Sequence, residues 1–384
     1  MQKIMIFIKK ETVLCIALLL AVVSAFMIPP DGEYIDYIDF HTLSILFCLM
    51  SVMTGLQEMG VFERIARRLL GKVKSGLSVV LILVLLCFFS SMLITNDVAL
   101  ITFVPFTFIV LNMLGEEARN RMVLKVVVMQ TIAANLGSML TPIGNPQNLY
   151  LYGRSGMSMG NFLLLMLPYT LCSLVLLLGW GVISGMRLKD MGRLQERNEM
   201  DFSGQEALHL KRIHPMTLVY GILFFVCLLS VGRVLPWWAA LAAVLFTLLI
   251  MGRKVLRKVD YSLLLTFVGF FVFIGNMGRI PLFRDFLQNI ILGREVFTSV
   301  IASQVISNVP AALLLSGFTD EFGSLIIGTN LGGLGTLIAS MASLISYKYV
   351  GKEEGNHRGK YMVLFTTANI IFLGALLGLY VVLN

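Results

Sequence analysis

The sequence predicts an all-α polytopic membrane protein made of two inverted repeats, with re-entrant helical hairpins and discontinuous transmembrane helices. Three observations lead to this fold class. The 384 residues are 57% hydrophobic and only 14% charged. Nine apolar runs are long enough to cross a membrane. Two further apolar stretches are split by polar clusters, and similar clusters recur in the same order in both halves of the chain.

The composition excludes several classes of protein. A soluble domain is typically about 45–50% apolar and about 25% charged, and much of its surface must face water. A soluble enzyme, a nucleic-acid-binding protein and a disordered regulator are therefore ruled out. The five cysteines all lie in apolar runs, and their spacing fits neither a disulfide framework nor a zinc site. We expect no cofactor, no metal other than Na⁺ as a coupling ion, and no nucleic-acid partner.

Helical spans are predicted wherever about 20 mostly apolar residues follow one another. Two longer stretches, 76–114 and 296–318, are interrupted by the clusters TND at 95–97 and SNVP at 307–310. Each is interpreted as a helical hairpin that enters and leaves on one side, although two separate crossings would give the same sidedness. The uninterrupted candidates are 12–28, 41–57, 122–148, 160–183, 215–231, 236–251, 261–277, 324–348 and 361–383.

The basic residues predict the orientation of the chain. Lysine and arginine concentrate on the cytoplasmic side of membrane proteins. With the N-terminus in the cytoplasm and nine crossings, the C-terminus lies outside and 184–214 becomes a cytoplasmic linker. All but five of the 30 basic residues then fall on the cytoplasmic side. The five that remain outside are Arg154, Arg233, Arg279, Arg284 and Arg294.

Internal similarity predicts the two repeats. The run LITNDVAL (93–100) resembles VISNVPAA (305–312), and ANLGSMLTPIGN (134–145) resembles TNLGGLGTLIAS (329–340). One extra span, 215–231, separates the copies, and an odd insert inverts the second copy relative to the first. Inverted repeats with interrupted helices are typical of secondary transporters. The predicted units are 1–183, with hairpin 76–114 and broken helix 122–148, and 236–384, with hairpin 296–318 and broken helix 324–348.

The interruptions are where the chemistry is expected. Unpaired backbone survives in a membrane only inside protein or beside a water-filled cavity. Proline removes a helical donor, and glycines break the second span. A broken helix exposes carbonyl oxygens that suit a cation and amide groups that suit an anion; the alternative is a kinked helix packed on small residues. The predicted break residues are Gly137, Pro142, Pro146 and Gly333.

Two overlapping sets of site residues follow from the tips and breaks. Asp97 stands apart from the other carboxylates, which fall in loops or at span ends. A carboxylate at membrane depth costs about 2.5–3.5 kcal/mol unless it is protonated, paired or bound to a cation. The predicted solute ligands are Thr95, Asn96, Asn145, Ser307, Asn308, Val309 and Thr336. The predicted coupling-ion residues are Asn96, Asp97, Ser138, Gly144, Asn308, Gly332 and Gly335.

At these motifs the chain resembles the ion-transporter superfamily of arsenite permeases, Na⁺/H⁺ antiporters of the same fold, citrate–metal permeases and divalent anion–sodium symporters. The resemblance implies an elevator-like moving domain that contains the hairpins, and a scaffold that often dimerises, so a homodimer is expected. In the dicarboxylate symporters both tips read Ser-Asn-Thr. Here they read Thr95-Asn96-Asp97 and Ser307-Asn308-Val309-Pro310, which is closer to the arsenite-permease and antiporter branches.

An ion-coupled carrier explains these features best. A membrane-embedded enzyme would need converging nucleophiles, acid pairs or metal ligands, and a channel would need a continuous polar lining. No GxxxxGK[ST] segment occurs, so transport must draw on an ion gradient or on the gradient of the solute. We expect a non-enzymatic permease of the cell (inner) membrane that moves a small anion, oxyanion or metalloid, such as arsenite or a carboxylate, with Na⁺ or H⁺. A Na⁺/H⁺ antiporter of the same fold is the alternative.

Overall fold

A computed structural model of the chain describes residues 11–71, 75–113, 116–189, 215–352 and 358–384. Within these ranges the protein forms nineteen helices and no β-strand. The predicted all-α fold class is therefore confirmed. The predicted linker 184–214 begins inside a helix that runs to residue 189, and 190–214 lie outside the described residues.

The described residues of the first half form nine helices. The second predicted span is preceded by Asp39, whose carboxylate accepts a hydrogen bond from the backbone N–H of Thr42 at 2.9 Å. Such a cap satisfies an N–H that the helix itself leaves unpaired. The helices are α1 (Thr12–Met27), α2 (Glu33–Asp36), α3 (Phe40–Glu58), α4 (Val61–Leu70), α5 (Gly76–Ile94), α6 (Asn96–Met113), α7 (Glu116–Ser138), α8 (Pro146–Ser155) and α9 (Met159–Lys189).

In the second half the described residues form one extra helix, α10 (Pro215–Val231), followed by nine others. Asp260 caps its second long helix as Asp39 caps α3, by accepting from the N–H of Leu263 at 3.1 Å. The nine helices are α11 (Trp237–Met251), α12 (Arg253–Leu256), α13 (Tyr261–Gly278), α14 (Pro281–Ile291), α15 (Glu295–Ile306), α16 (Asn308–Leu315), α17 (Phe322–Leu331), α18 (Met341–Val350) and α19 (Arg358–Leu383).

Six helices in the described ranges are long and apolar enough to cross a membrane, and they include both arms of the first hairpin, α5 and α6. At 1.5 Å per residue each of these arms extends about 28 Å. The arms of the second hairpin, α15 and α16, have 12 and 8 residues and are too short to cross alone. The second hairpin therefore fits a re-entrant element by length, whereas re-entrance of the first hairpin stays a prediction.

The helices pack into two groups. Helix α13 packs along α1, and α10 and α11 pack on α3. In the second group, α5, α6 and α7 pack together, and so do α15, α16 and α17. Helices α8, α9 and α18 connect these two sets of three helices. The groups meet where α3 contacts α8 and α13 contacts α16. This contact region is where the hairpin tips and the helix breaks lie.

Candidate functional site

Each hairpin tip turns on one residue with an unusual backbone conformation. Thr95 joins α5 to α6 with φ 68° and ψ 151°, and Ser307 joins α15 to α16 with φ 74° and ψ 154°. This region of φ/ψ space is almost restricted to glycine. In both hairpins the next residue is an asparagine that begins the second arm. The two tips therefore have the same backbone geometry as well as similar sequences.

Each tip is hydrogen-bonded to the broken helix of its own half. The backbone N–H of Asn96 donates to the carbonyl oxygen of Gly144 at 3.2 Å, and that of Asn308 donates to the carbonyl oxygen of Ala339 at 3.0 Å. Gly144 and Ala339 are equivalent in the repeated motif. The tips are thus held by main-chain bonds at corresponding points of the two breaks.

The first break lies between α7 and α8, whereas the predicted break residue Gly137 lies in the last turn of α7. Helix α7 ends at Ser138 and α8 begins at Pro146, after Asn145 in an extended conformation. Gly137 packs against α5 so closely that a Cβ atom would collide with the carbonyl oxygen of Phe88. Pro142 lies inside the irregular segment. Proline at the first helical position is favourable because no intrahelical N–H bond is lost there.

The second break uses glycine instead of proline. Helix α17 ends at Leu331 and α18 begins at Met341, after Ser340 in an extended conformation. Gly333 lies in the irregular segment, and Gly335 has φ 111°, a conformation that side-chain-bearing residues rarely adopt. Both predicted discontinuous helices are present in the structure.

Asn135 connects the first tip to the second broken helix. Its Oδ1 accepts hydrogen bonds from Asn96 Nδ2 and from Ser340 Oγ, both at 3.0 Å. Its Nδ2 donates to the carbonyl oxygen of Gly333 at 3.5 Å. Asn308 of the second tip lies against Gly333 as well, with its Nδ2 3.1 Å from the position a Cβ would take there. The two tips therefore meet at one buried group of polar side chains between the two breaks, which we call the polar crossing.

Asn145 makes the reciprocal connection. Its Nδ2 donates to Ser138 Oγ at 2.8 Å and to Asn330 Oδ1 at 3.4 Å. Asn330 in turn donates to Asn148 Oδ1 at 2.6 Å. Asn145 and Ser340 are equivalent in the repeat, and so are Asn330 and Asn135. In each half, a polar residue immediately precedes the helix that follows the break. This residue is hydrogen-bonded to the asparagine, Asn330 or Asn135, in the first part of the other half's broken helix.

A cavity of about 480 Å³ opens beside the first tip. It lies between α3 and the start of α13 on one side and α6 and the first break on the other. Asp97 Oδ1 and Asn145 Oδ1 are both buried without a hydrogen-bond partner. A buried polar atom that lacks a partner needs an explanation such as an ion or solvent. The predicted residues that line this cavity are Thr95, Asp97, Asn145 and Pro146.

The charges of the cavity come partly from residues that the sequence did not single out. Glu58 at the end of α3 forms an ion pair with Lys258 Nζ, and Asp260 lies beside them. Together with Asp97 the cavity has three carboxylates and one ammonium group. No sequence pattern points directly to this cluster, because Glu58, Lys258 and Asp260 lie at span ends. Only packing of α3 against α12 and α13 brings them to the tip.

The second break is closed by a side chain that the sequence did not indicate. Gln304 Nε2 donates to the carbonyl oxygens of Leu334 at 2.9 Å and Gly332 at 3.0 Å. Its Oε1 accepts from the backbone N–H of Thr336 at 2.8 Å. Thr336 is exposed, and its hydroxyl donates to the main-chain oxygen of Gln304 at 3.2 Å. A lone glutamine in an apolar helix has no periodic signal that would reveal this contact.

The predicted site residues therefore fall into three positions. Thr95, Asp97 and Asn145 face the cavity, whereas Ser307, Asn308 and Val309 are buried at the second tip. The remaining residues form the hydrogen-bonded crossing and breaks between these two positions: Asn96, Ser138, Gly144, Gly332, Gly335 and Thr336.

Comparison of the sequence with known proteins identifies its family. A family model described as citrate transporter matches residues 4–323. The inner membrane protein YbiR of Escherichia coli is 31% identical over 316 residues, which cover 81% of this chain and 80% of that protein. An uncharacterized transporter of Methanocaldococcus jannaschii is 30% identical over 339 residues, or 86% of each chain.

A plant protein is similar over a shorter region. The silicon efflux transporter of Oryza sativa subsp. japonica is 32% identical over 148 residues, which cover 38% of this chain and 29% of that protein. The longer matches extend over both hairpins, since they cover four fifths or more of the chain.

Proposed function

The chain belongs to the citrate transporter family and is a membrane secondary transporter, and we propose that it is ion-coupled, with its site at the first hairpin tip and first helix break. The observation that carries this proposal is the pair of buried, unpartnered oxygens, Asp97 Oδ1 and Asn145 Oδ1, beside one cavity. A bound Na⁺ or a proton on Asp97 would satisfy what the protein leaves unsatisfied.

The solute we propose is a small anion, oxyanion or metalloid. The family description names citrate and the plant relative is named for silicon, so oxygen-rich solutes of both kinds are candidates. The hydroxyl of Thr95 can donate to such oxygens, and Asn145 Oδ1 can accept from the hydroxyl group of a protonated solute. An anion beside Asp97 would be repelled unless a cation or proton neutralised the carboxylate, and this requirement supports obligatory coupling.

We further propose that the helices α5 to α9 and α15 to α19 move as an elevator-like unit against α1, α3, α10, α11 and α13. The cavity lies between these two groups, so a solute bound at the tip would be carried along the boundary. The protein would lie in the cell (inner) membrane with its N-terminus in the cytoplasm and its C-terminus outside. The distribution of basic residues supports this orientation.

A Na⁺/H⁺ antiporter of the same fold is the second candidate. It is favoured by the excess of carboxylates in the cavity, where Glu58, Asp97 and Asp260 face one Lys258. A cation alone would be attracted by this charge without an accompanying anion. In this case protons and Na⁺ would compete for Asp97, and no third solute would be required.

Transport in proteoliposomes tests the proposal. Vesicles with imposed Na⁺ or pH gradients are supplied with citrate, arsenite or silicic acid, and accumulation is compared with vesicles lacking a gradient. We expect Asp97→Asn to lose the dependence on the gradient, because a ligand shifts an equilibrium only through differential affinity. Asp285→Asn, which changes an exposed carboxylate on α14, is the matched control.

The possible results separate the candidates. Gradient-driven accumulation of one of the three solutes supports the symporter, whereas Na⁺-dependent proton movement without any of them supports the antiporter. If Asp97→Asn accumulates the solute against its gradient as the unmodified protein does, the coupling site lies elsewhere and the proposal is wrong.

A further inference from the structure

The two hairpins share a backbone geometry but differ in the side chain that faces each break. Three residues before the tip, the first hairpin has Met92 and the second has Gln304. The two positions correspond in their contacts as well. The hydroxyl of Thr141 donates to the main-chain oxygen of Met92, and the hydroxyl of Thr336 donates to that of Gln304. Each break is thus hydrogen-bonded to the same point of its hairpin.

Gln304 fills the second break with hydrogen-bond donors. Its amide nitrogen lies 2.9 Å from the oxygen of Leu334, 3.0 Å from that of Gly332 and 3.2 Å from that of Val300. Two of these three oxygens belong to the unwound segment. Unwound carbonyl groups of this kind bind the coupling cation in transporters with broken helices. Here an uncharged NH₂ group donates to these carbonyl oxygens.

The first break has its amide donor on different carbonyl groups. Asn148 Nδ2 donates to the oxygen of Ser138 at 3.4 Å and to that of Thr141 at 3.3 Å. Gly137 and Met139 correspond to Gly332 and Leu334, and among the described residues no side-chain amide donates to their oxygens.

A methionine thioether has no N–H group, so Met92 cannot occupy the carbonyl groups of its own break. Instead, the oxygens Asp97 Oδ1 and Asn145 Oδ1 stay without partners beside the cavity. The hard oxygen ligands that a cation such as Na⁺ prefers are therefore available at the first break.

The neighbouring positions show the same asymmetry. Val309 stands two residues after its tip, where the first hairpin has Asp97, so the second tip has no carboxylate. Ser340 stands where the first break has Asn145, and its hydroxyl donates to Asn135 Oδ1 at 3.0 Å. Substitutions at three corresponding positions thus remove charge and free oxygens from the second hairpin.

We propose that the Gln304 amide permanently replaces a cation in the second hairpin, so that a single coupling ion binds, at the first hairpin. This inference rests on the proposed function, because it assigns the coupling ion of that carrier. A covalently attached amide cannot dissociate into the bulk solution, so it transmits no gradient. The second hairpin therefore keeps the fold of an ion-binding element but does not couple transport to an ion gradient.

Cation binding to the purified full-length protein tests this inference without a transported solute. Tm is measured while NaCl replaces choline chloride at constant ionic strength. In the Asp97→Asn background we expect no saturable effect of Na⁺. Adding Gln304→Glu removes the donors and supplies a carboxylate, so we expect a saturable rise in Tm of roughly 1–2 °C when Na⁺ exceeds its Kd about tenfold.

Two further variants in the same background make the result specific. Gln130→Glu is the matched control, because this buried glutamine also donates to a main-chain oxygen, that of Leu83 at 3.1 Å, but lies outside the breaks. It should confer no effect of Na⁺. Gln304→Met copies the first hairpin and frees the carbonyl groups without adding charge, so it tests the same position if Gln304→Glu fails to fold.

The results that would overturn the inference differ from those that would overturn the proposed function. If Asp97→Asn alone keeps a saturable effect of Na⁺, the second hairpin already binds a cation. If the folded Gln304→Glu and Gln304→Met proteins both stay indifferent to Na⁺, the amide does not occupy a cation position. Neither result depends on flux, whereas the proposed function is decided by gradient-driven accumulation.

Discussion

Thr95 and Ser307 lie 212 positions apart in the sequence and adopt the same left-handed, extended conformation, with φ and ψ of 68° and 151° in one and 74° and 154° in the other. Holding a side-chain-bearing residue in this region costs about 1–3 kcal/mol. The cost is higher for threonine than for glycine because of its β-branch. Glycine would satisfy the geometry, so retention of hydroxyl-bearing residues at both tips points to a use for the hydroxyl group.

Thr95→Gly should stabilise the protein and impair transport. Relief of the backbone conformation gains about 1–3 kcal/mol, and the greater freedom of glycine in the unfolded chain costs roughly 0.5–1 kcal/mol. We expect a higher Tm together with reduced solute accumulation. Thr247→Gly, inside helix α11, is the control and should lower Tm. A lower Tm for Thr95→Gly would show that the tip is not strained.

Asn135→Ala should destabilise the polar crossing. The substitution leaves Asn96 Nδ2 and Ser340 Oγ without the acceptor that both share. Each of the two buried donors left without a partner costs about 1–3 kcal/mol, so a total loss of about 2–6 kcal/mol is expected. Denaturation of the purified protein measures it. Exposed Asn161 provides the control, since Asn161→Ala should change stability by no more than about 0.5 kcal/mol; an equal loss in both variants would contradict the expectation.

The contact between Asp31 and Arg279 should make stability depend on acid pH. Arg279 Nη1 donates to Asp31 Oδ2 at 2.7 Å, and this hydrogen bond lowers the pKa of Asp31 from its ordinary value. The contribution of this contact to the free energy of unfolding is fully present above the unfolded pKa of Asp31, about 3.9. It is lost as pH falls through the lower pKa of Asp31 in the folded protein.

The pH dependence of Tm between about pH 5 and pH 2 measures this effect. We expect Asp31→Asn to show a smaller loss of Tm on acidification than the unmodified protein. Asp36→Asn removes an exposed carboxylate at the end of α2 and should keep the original acid dependence. If Tm falls identically with pH in all three proteins, Asp31 does not contribute to the acid dependence of stability.

The orientation of the chain can be checked with reporter fusions. Fusions after residues 75, 120, 200 and 255 should report a cytoplasmic position, and fusions near 35, 155, 320 and the C-terminus an external one. The reason is the concentration of basic residues on one side of the predicted spans. An external signal from the fusion at 200 would contradict the inverted arrangement, because both halves would then need a different number of crossings.

The sequence predicted the discontinuous helices because their causes are local. Pro142 and Pro146 cannot continue a helix, and the glycines from Gly332 to Gly335 break α17 without proline. The hairpin tips were recognisable because Asn96 and Asn308 interrupt otherwise apolar stretches. These are properties of single residues and their immediate neighbours, so they can be read before the chain is folded.

The contacts between residues that are distant in the sequence could not be predicted in the same way. Gln304 is one polar residue on an apolar helix, and its partners Gly332 and Leu334 lie 28 and 30 positions away. Glu58 and Lys258 meet only because α3 and α12 pack together. The sequence identified which residues are polar at membrane depth, whereas tertiary packing decides which of them face the cavity and which are already paired.

Under the proposed mechanism, membrane voltage acts on the first hairpin tip and not on the crossing of the two breaks. The side chains of Asn96, Asn135, Asn145 and Asn330 are uncharged, so displacement of this crossing moves no charge of its own through the electric field. Under the proposed mechanism, Asp97 carries the field-sensitive charge at the tip. Each elementary charge that crosses the membrane is worth about 2.3 kcal/mol per 100 mV. Neutralising Asp97 with one cation makes the tip electrically silent, and a negative interior then drives the empty carrier outward.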